Sequence, residues 1–136
     1  LTRIQWVQDQ VVRDSGALDP LLKDAGRQLQ AYFERRLTEF DLPLAAAATP
    51  RGDVLRQAIA AIPYGETASY GQVARMAGTM PRALGQACAR NPFPIVIPCH
   101  RVLAAGGALG HYSGGRGVET KLALLRLEAP DFEPDA

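Results

Sequence analysis

Across its 136 residues the chain has little sulfur, little histidine and one tryptophan: two Cys, two Met, two His and Trp6. Two thiols, Cys88 and Cys99, in a chain without a secretory signal do not make a disulfide scaffold. No apolar run approaches the ~20 residues needed to cross a bilayer, which argues against a membrane partner. No basic segment followed by an apolar one opens the chain, so no export signal is read. The expected compartment is the cytoplasm, or the nucleus in a eukaryote. The chain begins with Leu1 rather than Met, which is read as the mark of a trimmed piece of something longer. Acidic residues are scarce in the second half: between Thr67 and Arg126 there are seven basic residues and only Glu119 against them. The first 66 residues carry eight basic and nine acidic groups. This asymmetry points to a polyanionic partner for the second half, or to a solvated arginine-rich surface.

What is present organises the chain into short helices. Leu1 to Val7 reads as a strand, with Ile4 and Trp6 on one face. Asp19-Pro20 is an N-cap followed by proline at the first helical position. The apolar residues Leu21, Leu22, Ala25, Leu29, Tyr32, Phe33 and Leu37 then predict a helix ending near Arg36 to Phe40. Leu42 to Pro50 reads as a linker. Thr49-Pro50 repeats the cap signal before a helix whose buried stripe is Val54, Leu55, Ala58, Ile59 and Ile62. Ser69 is placed to cap a third helix that Gly78 ends, and Pro81 opens a fourth through Arg90. A short helix, a turn and a second short helix form a helix-turn-helix pattern, which structural helix pairs share. Ala104 to Gly117 is a glycine-rich loop. Glu119 to Leu127 reads as the last helix, with Leu122, Leu125 and Leu127 available for packing, and an acidic tail follows. The expected division is an N-terminal α/β domain over 1–48, a mainly helical domain over 49–129, and a tail over 130–136.

The two cysteines have different neighbours. Cys88 lies in an apolar stretch and reads as a small inert hydrophobe. Cys99 stands in Ile97-Pro98-Cys99-His100-Arg101-Val102. A thiol becomes nucleophilic when its thiolate is stabilised. A neighbouring histidine can take its proton if a third group orients the imidazole. Glu128, at the end of the last helix, is the candidate for that third group.

The run Asn91-Pro92-Phe93-Pro94-Ile95-Val96-Ile97-Pro98-Cys99-His100-Arg101-Val102-Leu103 closely resembles the active-site signature of the O6-alkylguanine-DNA alkyltransferases. So do Ile62 to Ala74, Arg82-Ala83-Leu84-Gly85, Gly110 to Gly115 and Lys121 to Glu128. The resemblance implies an α/β fold: a ribonuclease-H-like α+β N-terminal domain joined to a mainly helical, winged-helix-like domain with a helix-turn-helix. It implies irreversible, single-use transfer of an alkyl group from O6-alkylguanine to Cys99 after the base is flipped from the duplex. Cys99, His100, Glu128, Asn91 and Tyr70 are the implied catalytic set. His100 acts through a water, Asn91 fixes the cysteine turn, and Tyr70 protonates the departing guanine. Arg82, Ala83, Tyr70, Ser113, Arg101 and Gly85 are the implied DNA contacts in the minor groove, with Arg82 filling the gap left by the flipped base. Val102, Tyr112 and Ser113 are the implied pocket. Arg75, Arg90 and Arg116 are candidates for phosphate contacts. The resemblance implies no metal or other cofactor, and a monomer is expected.

The chain departs from the family pattern at two places. One or two strands that usually precede the position of Leu1 are absent from it. Where aromatics usually follow Thr49-Pro50, it reads Arg51-Gly52-Asp53-Val54-Leu55-Arg56-Gln57, so the packing between domains is expected to be rearranged. Three competing readings are an alkyltransferase-like lesion binder, which lacks the cysteine; a Cys-His hydrolase, which would turn over; and a zinc site from Cys88, Cys99, His100 and His111, whose spacing fits no common pattern.

Overall fold

The computed structural model describes residues 1–7 and 19–135, so Ala136 of the expected tail lies outside the described residues. Helix α1 spans Pro20–Phe33. Asp19 accepts a hydrogen bond from the Leu21 amide at 2.8 Å, and Pro20 fills the first helical position, where no donor is needed. The helix stops earlier than its apolar pattern predicts. Arg35 adopts φ 61°, and the Arg36 and Arg35 amides return to the carbonyls of Ala31 and Tyr32, a Schellman closure built without glycine. The Arg35 guanidinium offsets that backbone conformation by donating to the Leu127 carbonyl at 3.1 Å.

Helix α2, Pro50–Ala60, is capped by Thr49, whose hydroxyl accepts from the Gly52 amide at 3.0 Å. It buries Leu55 and Ile59, but Val54 is left 47% exposed, so the expected stripe is narrower. In the stretch where the family pattern has aromatics, Arg51 and Arg56 make polar and ring contacts instead. Arg51 donates to the Thr79 hydroxyl at 2.5 Å. Arg56 donates to the Ala45 carbonyl at 3.0 Å and lies 5.5 Å from the centre of the Phe93 ring.

Helices α3, Tyr70–Ala77, and α4, Pro81–Ala89, form the helix-turn-helix. Ser69 and Gln72 close a capping box at the start of α3, and Gly78 (φ 68°) ends it in the left-handed conformation. Val73, Ala74 and Leu84 bury the contact between the two helices. Strands β1, Ala68–Ser69, and β2, Val102–Leu103, form a two-residue parallel ladder in which Ala68 faces Val102. The ladder ties the entry of α3 to the exit of the cysteine turn.

Helix α5, Val118–Glu128, turns Lys121, Leu124, Leu125 and Glu128 inward, a helical stripe of i, i+3, i+4, i+7 spacing. Two of those four are charged; of the leucines expected to pack, Leu125 is buried, Leu127 is half-buried against the cluster of Tyr32 and Leu124, and Leu122 is half-buried.

The strand expected at Leu1–Val7 joins no ladder among the described residues. Its backbone bonds are scattered: Ala45 N–H to the Leu1 carbonyl at 2.7 Å and Ile4 N–H to the Pro92 carbonyl at 2.8 Å. Pro92 and Pro43 have no amide to return, so a continuous ladder cannot form there.

Two apolar clusters result. One, with Leu55, Ile59, Val73, Leu84, Phe93, Ile97, Cys99 and Val102, lies under the helix-turn-helix. The other, with Tyr32, Ile95, Tyr112 and Leu124, joins α1 to α5. No described helix is long and apolar enough to cross a membrane.

Candidate active site

Asn91 builds the turn that carries Cys99. Its side-chain carbonyl accepts from the Phe93 amide at 2.9 Å, and its amide group donates to the Ile97 carbonyl at 2.9 Å and to Cys99 Sγ at 3.4 Å. Between these anchors Ile95 is forced to φ 74°, a strained conformation for a β-branched residue. Cys99 to Arg101 then form one 3₁₀ turn, buried on every side.

His100 is fully buried, and its Nε2 lies 2.6 Å from Glu128 Oε2. A carboxylate only accepts, so Nε2 carries the hydrogen and the lone pair sits on Nδ1. Nδ1 is buried and has no protein partner among the described residues. Burial pulls the imidazole below its ordinary range, against the opposing pull of Glu128, so the ring is held neutral.

Glu128 is a convergence point. Its Oε1 accepts from the Gly65 amide at 3.1 Å and Arg101 Nε at 2.8 Å. Its Oε2 accepts from His100, from the Tyr32 hydroxyl at 2.5 Å and from Arg101 Nη2 at 3.1 Å. Burial alone would raise this carboxyl. The donated hydrogen bonds from His100, Arg101 and Tyr32 outweigh it and hold the group at about 2.

Cys99 itself is held well above the ordinary thiol range by its hydrogen-bond contact with Cys88 and by burial; Asn91 and the Lys121 ammonium pull the other way. The resting thiol therefore keeps its proton, and a base is needed to remove it. Cys99 lies in the wall of a cleft of about 740 Å³, shared with Trp6, Asn91, Tyr112 and Ser113. A smaller cavity of about 20 Å³ sets Cys99 against Tyr70, Gly85, Cys88 and Ser113. Burial pushes the Tyr70 phenol up to about 12, so its hydroxyl remains a proton donor near neutrality. At Gly114 a Cβ would come within 2.8 Å of the Trp6 ring, so only glycine lets Trp6 close that side of the cleft.

The fold thus brings Cys99, His100, Glu128, Asn91, Tyr70, Tyr112, Ser113 and Gly85 into one region. Arg82 stands exposed on the first turn of α4, apart from the thiol. Ala83 lines a further cavity of about 460 Å³ between α2 and α4, which Asn91 and Cys99 also border. Two residues sit otherwise than expected. Arg101 turns inward: its guanidinium is buried, paired with Glu128 and donating to the Ile62 carbonyl at 2.7 Å. Val102 lines none of these three cavities; it is fully buried in the core beneath the helix-turn-helix.

Comparison with known proteins agrees with this arrangement. Residues 52–130 match the 6-O-methylguanine DNA methyltransferase DNA-binding domain, and residues 1–46 match the ribonuclease-like domain of the same proteins. The chain belongs to the O6-methylguanine-DNA methyltransferase family. The methylated-DNA–protein-cysteine methyltransferase of Mycobacterium leprae is 47% identical over 77% of this chain, which spans 64% of that relative's length. The constitutive enzyme of Bacillus subtilis is 39% identical over 98% of this chain and 82% of its own length. The crystal structure of Mycobacterium tuberculosis OGT in complex with DNA superimposes with a TM-score of 0.80 at 40% identity, covering 95% of this chain and 80% of that one. The α/β fold of the methyltransferase family is therefore shared by this chain.

Three residues of the methyltransferase site escaped sequence reasoning. Lys121, given no role beyond the count of basic residues, is fully buried and donates to the carbonyls of Val102 and His111 at 2.7 and 3.2 Å. Burial brings its ammonium down to about 8. Cys88, read as inert, is only half-buried and shares two of the three cavities that Cys99 borders. Tyr32, read as part of an apolar stripe, reaches Glu128 across 96 positions of sequence. Lys121 sits seven residues before Glu128, two full helical turns, and that spacing was the one available signal.

Proposed function

We propose that this chain repairs alkylated DNA by moving an alkyl group from O6-alkylguanine to Cys99, once per molecule. The observation that carries the reading is the buried His100–Glu128 pair beside a protonated thiol that opens onto a cleft. His100 Nδ1 receives the Cys99 proton through a bridging water, and Glu128 stabilises the imidazolium that forms. The thiolate attacks the alkyl carbon in line, forming an S–C bond as the C–O6 bond breaks. The electron pair leaves on guanine O6, which Tyr70 protonates or hydrogen-bonds. The products are a thioether and guanine restored in the strand, with no cofactor consumed.

The target base must leave the duplex to reach the thiol. Arg82, exposed on α4, supplies a long cation for the vacated space, and Ala83 and Gly85 keep that helix slim for the minor groove. Ser113 and Tyr112 border the guanine site. Residues 49–129 form the DNA-binding and active-site domain in this reading, 1–48 the N-terminal domain and 130–136 the tail. A monomer suffices, and two free thiols suit the reducing cytoplasm, or a eukaryotic nucleus. Relatives are named as methyltransferases and one is seen bound to DNA, which supports the same reading.

The test is incubation with duplex DNA containing O6-methylguanine, followed by intact mass and peptide mapping. A gain of one methyl on Cys99, absent in Cys99→Ser, is expected. An unmodified protein with the lesion still in the DNA overturns the proposal.

A further inference from the structure

The carboxylate that orients His100 is held from the N-terminal side of the molecule. Tyr32, in the last turn of α1, has no exposed surface, and its hydroxyl donates to Glu128 Oε2 at 2.5 Å. That is the same oxygen His100 Nε2 approaches at 2.6 Å. The Tyr32 ring cannot swing away. Phe33 and Tyr64 meet it edge-on at 5.4 and 6.1 Å between ring centres, and Phe40 lies tilted at 5.6 Å. Burial and the neighbouring Glu128 charge push the phenol far above its ordinary range, so the hydroxyl can only donate. Donors that share one oxygen, here with Arg101 Nη2 as the third, compete for its charge: what Tyr32 draws off is not available to stabilise a proton on His100.

We propose that Tyr32 is a positioning residue of the Cys99 site, acting through Glu128 to restrain protonation of His100 and so to extend the thiol's reactivity toward acid. The inference rests on His100 serving as the base for Cys99. The groups facing this pair are Tyr32 from α1, Tyr64 from the loop after α2, Arg101 beside His100, and Lys121 with Glu128 from α5. Arg101 and Lys121 disfavour an imidazolium, Glu128 favours it, and the Tyr32 hydroxyl weakens that favouring. Removing the hydroxyl leaves Glu128 acting more fully on His100. The imidazole then takes a solvent proton at higher pH and is lost as a base.

Tyr32→Phe deletes the hydroxyl and keeps the ring. The measurement is the pH dependence of Cys99 carbamidomethylation by iodoacetamide, followed by peptide mass, with methyl transfer from O6-methylguanine duplex DNA run in parallel. In Tyr32→Phe the acid limb should move upward by roughly half a pH unit or more, lowering the rate near pH 5.5 roughly threefold, while the alkaline plateau stays within about twofold. Phe40→Leu, which loosens the same ring cluster without touching Glu128, should lower the melting temperature and leave the limb in place. An unmoved limb in Tyr32→Phe overturns the proposal, whatever happens to the plateau. So does an equal shift in Phe40→Leu, which would make the effect one of packing. Because iodoacetamide needs no DNA, a wild type that is carbamidomethylated at Cys99 but takes no methyl group sinks the repair reading alone.

Discussion

Glu128 accepts five hydrogen bonds from four residues, and its removal has consequences for folding as well as chemistry. With Gln at this position, Arg101 stays buried with no carboxylate beside it. Breaking one partner of a buried pair costs about 3–5 kcal/mol, so Glu128→Gln should shift the urea midpoint by a corresponding amount. The pH dependence follows from two groups. Glu128 is held at about 2 against an ordinary 4.5, and His100 below an ordinary 6.5. In both cases the unfolded chain binds protons more readily than the folded one, so stability falls as pH falls. The His100 contribution begins to be lost below about 6.5; that of Glu128 is lost between about 4.5 and 2. Urea titrations across pH should show the lower step in wild type and not in Glu128→Gln. A wild-type midpoint flat from pH 5 to 3 would contradict the assignment.

Among the elements, the helix-turn-helix has two sides: Tyr70 of α3 borders the thiol, while Arg82 of α4 stands apart from it. Arg82 is exposed on α4 while Cys99 is buried. Arg82→Ala is therefore expected to slow repair of O6-methylguanine in duplex DNA far more than reaction with free O6-benzylguanine. Equal losses on the two substrates, measured as second-order rate constants, would argue against a part in extruding the base. The elements were unevenly legible in the sequence, for physical reasons. Helix starts at Asp19, Thr49 and Ser69 and the stop at Gly78 could be read because caps are made within three or four residues. The buried face of α5 could not, since Lys121 and Glu128 are inside and their partners lie on the cysteine turn and on α1. The end of α1 was missed because Arg35, not glycine, takes the left-handed position. The segment Leu1–Val7 was misread because ladder pairing depends on a distant neighbour, and two of its neighbours are prolines. At the site, Cys99, His100, Glu128 and Asn91 could be read through family resemblance. The inward turn of Arg101 could not, because the residue type allows both surface and buried pairing.

For the molecule as a whole, the charge asymmetry of the second half is smaller on the surface than in the sequence. Of its seven basic residues, Arg101 and Lys121 are buried, and Arg126 reaches Glu133 of the tail at 3.4 Å. Arg75, Arg82, Arg90 and Arg116 remain exposed. If these four meet phosphates, the dependence of log K on log salt for undamaged duplex DNA should have a slope no steeper than about −4. A slope near −6, measured by fluorescence anisotropy, would mean that the buried cations or the arginines of α2 also take part.

Trp6 is the one tryptophan of the chain, and it stands in the wall of the cleft that reaches Cys99. The molecule therefore carries its own optical label. Anything that enters the cleft changes the surroundings of a single indole, so occupancy can be followed in real time on the native chain, with no dye and no engineered residue.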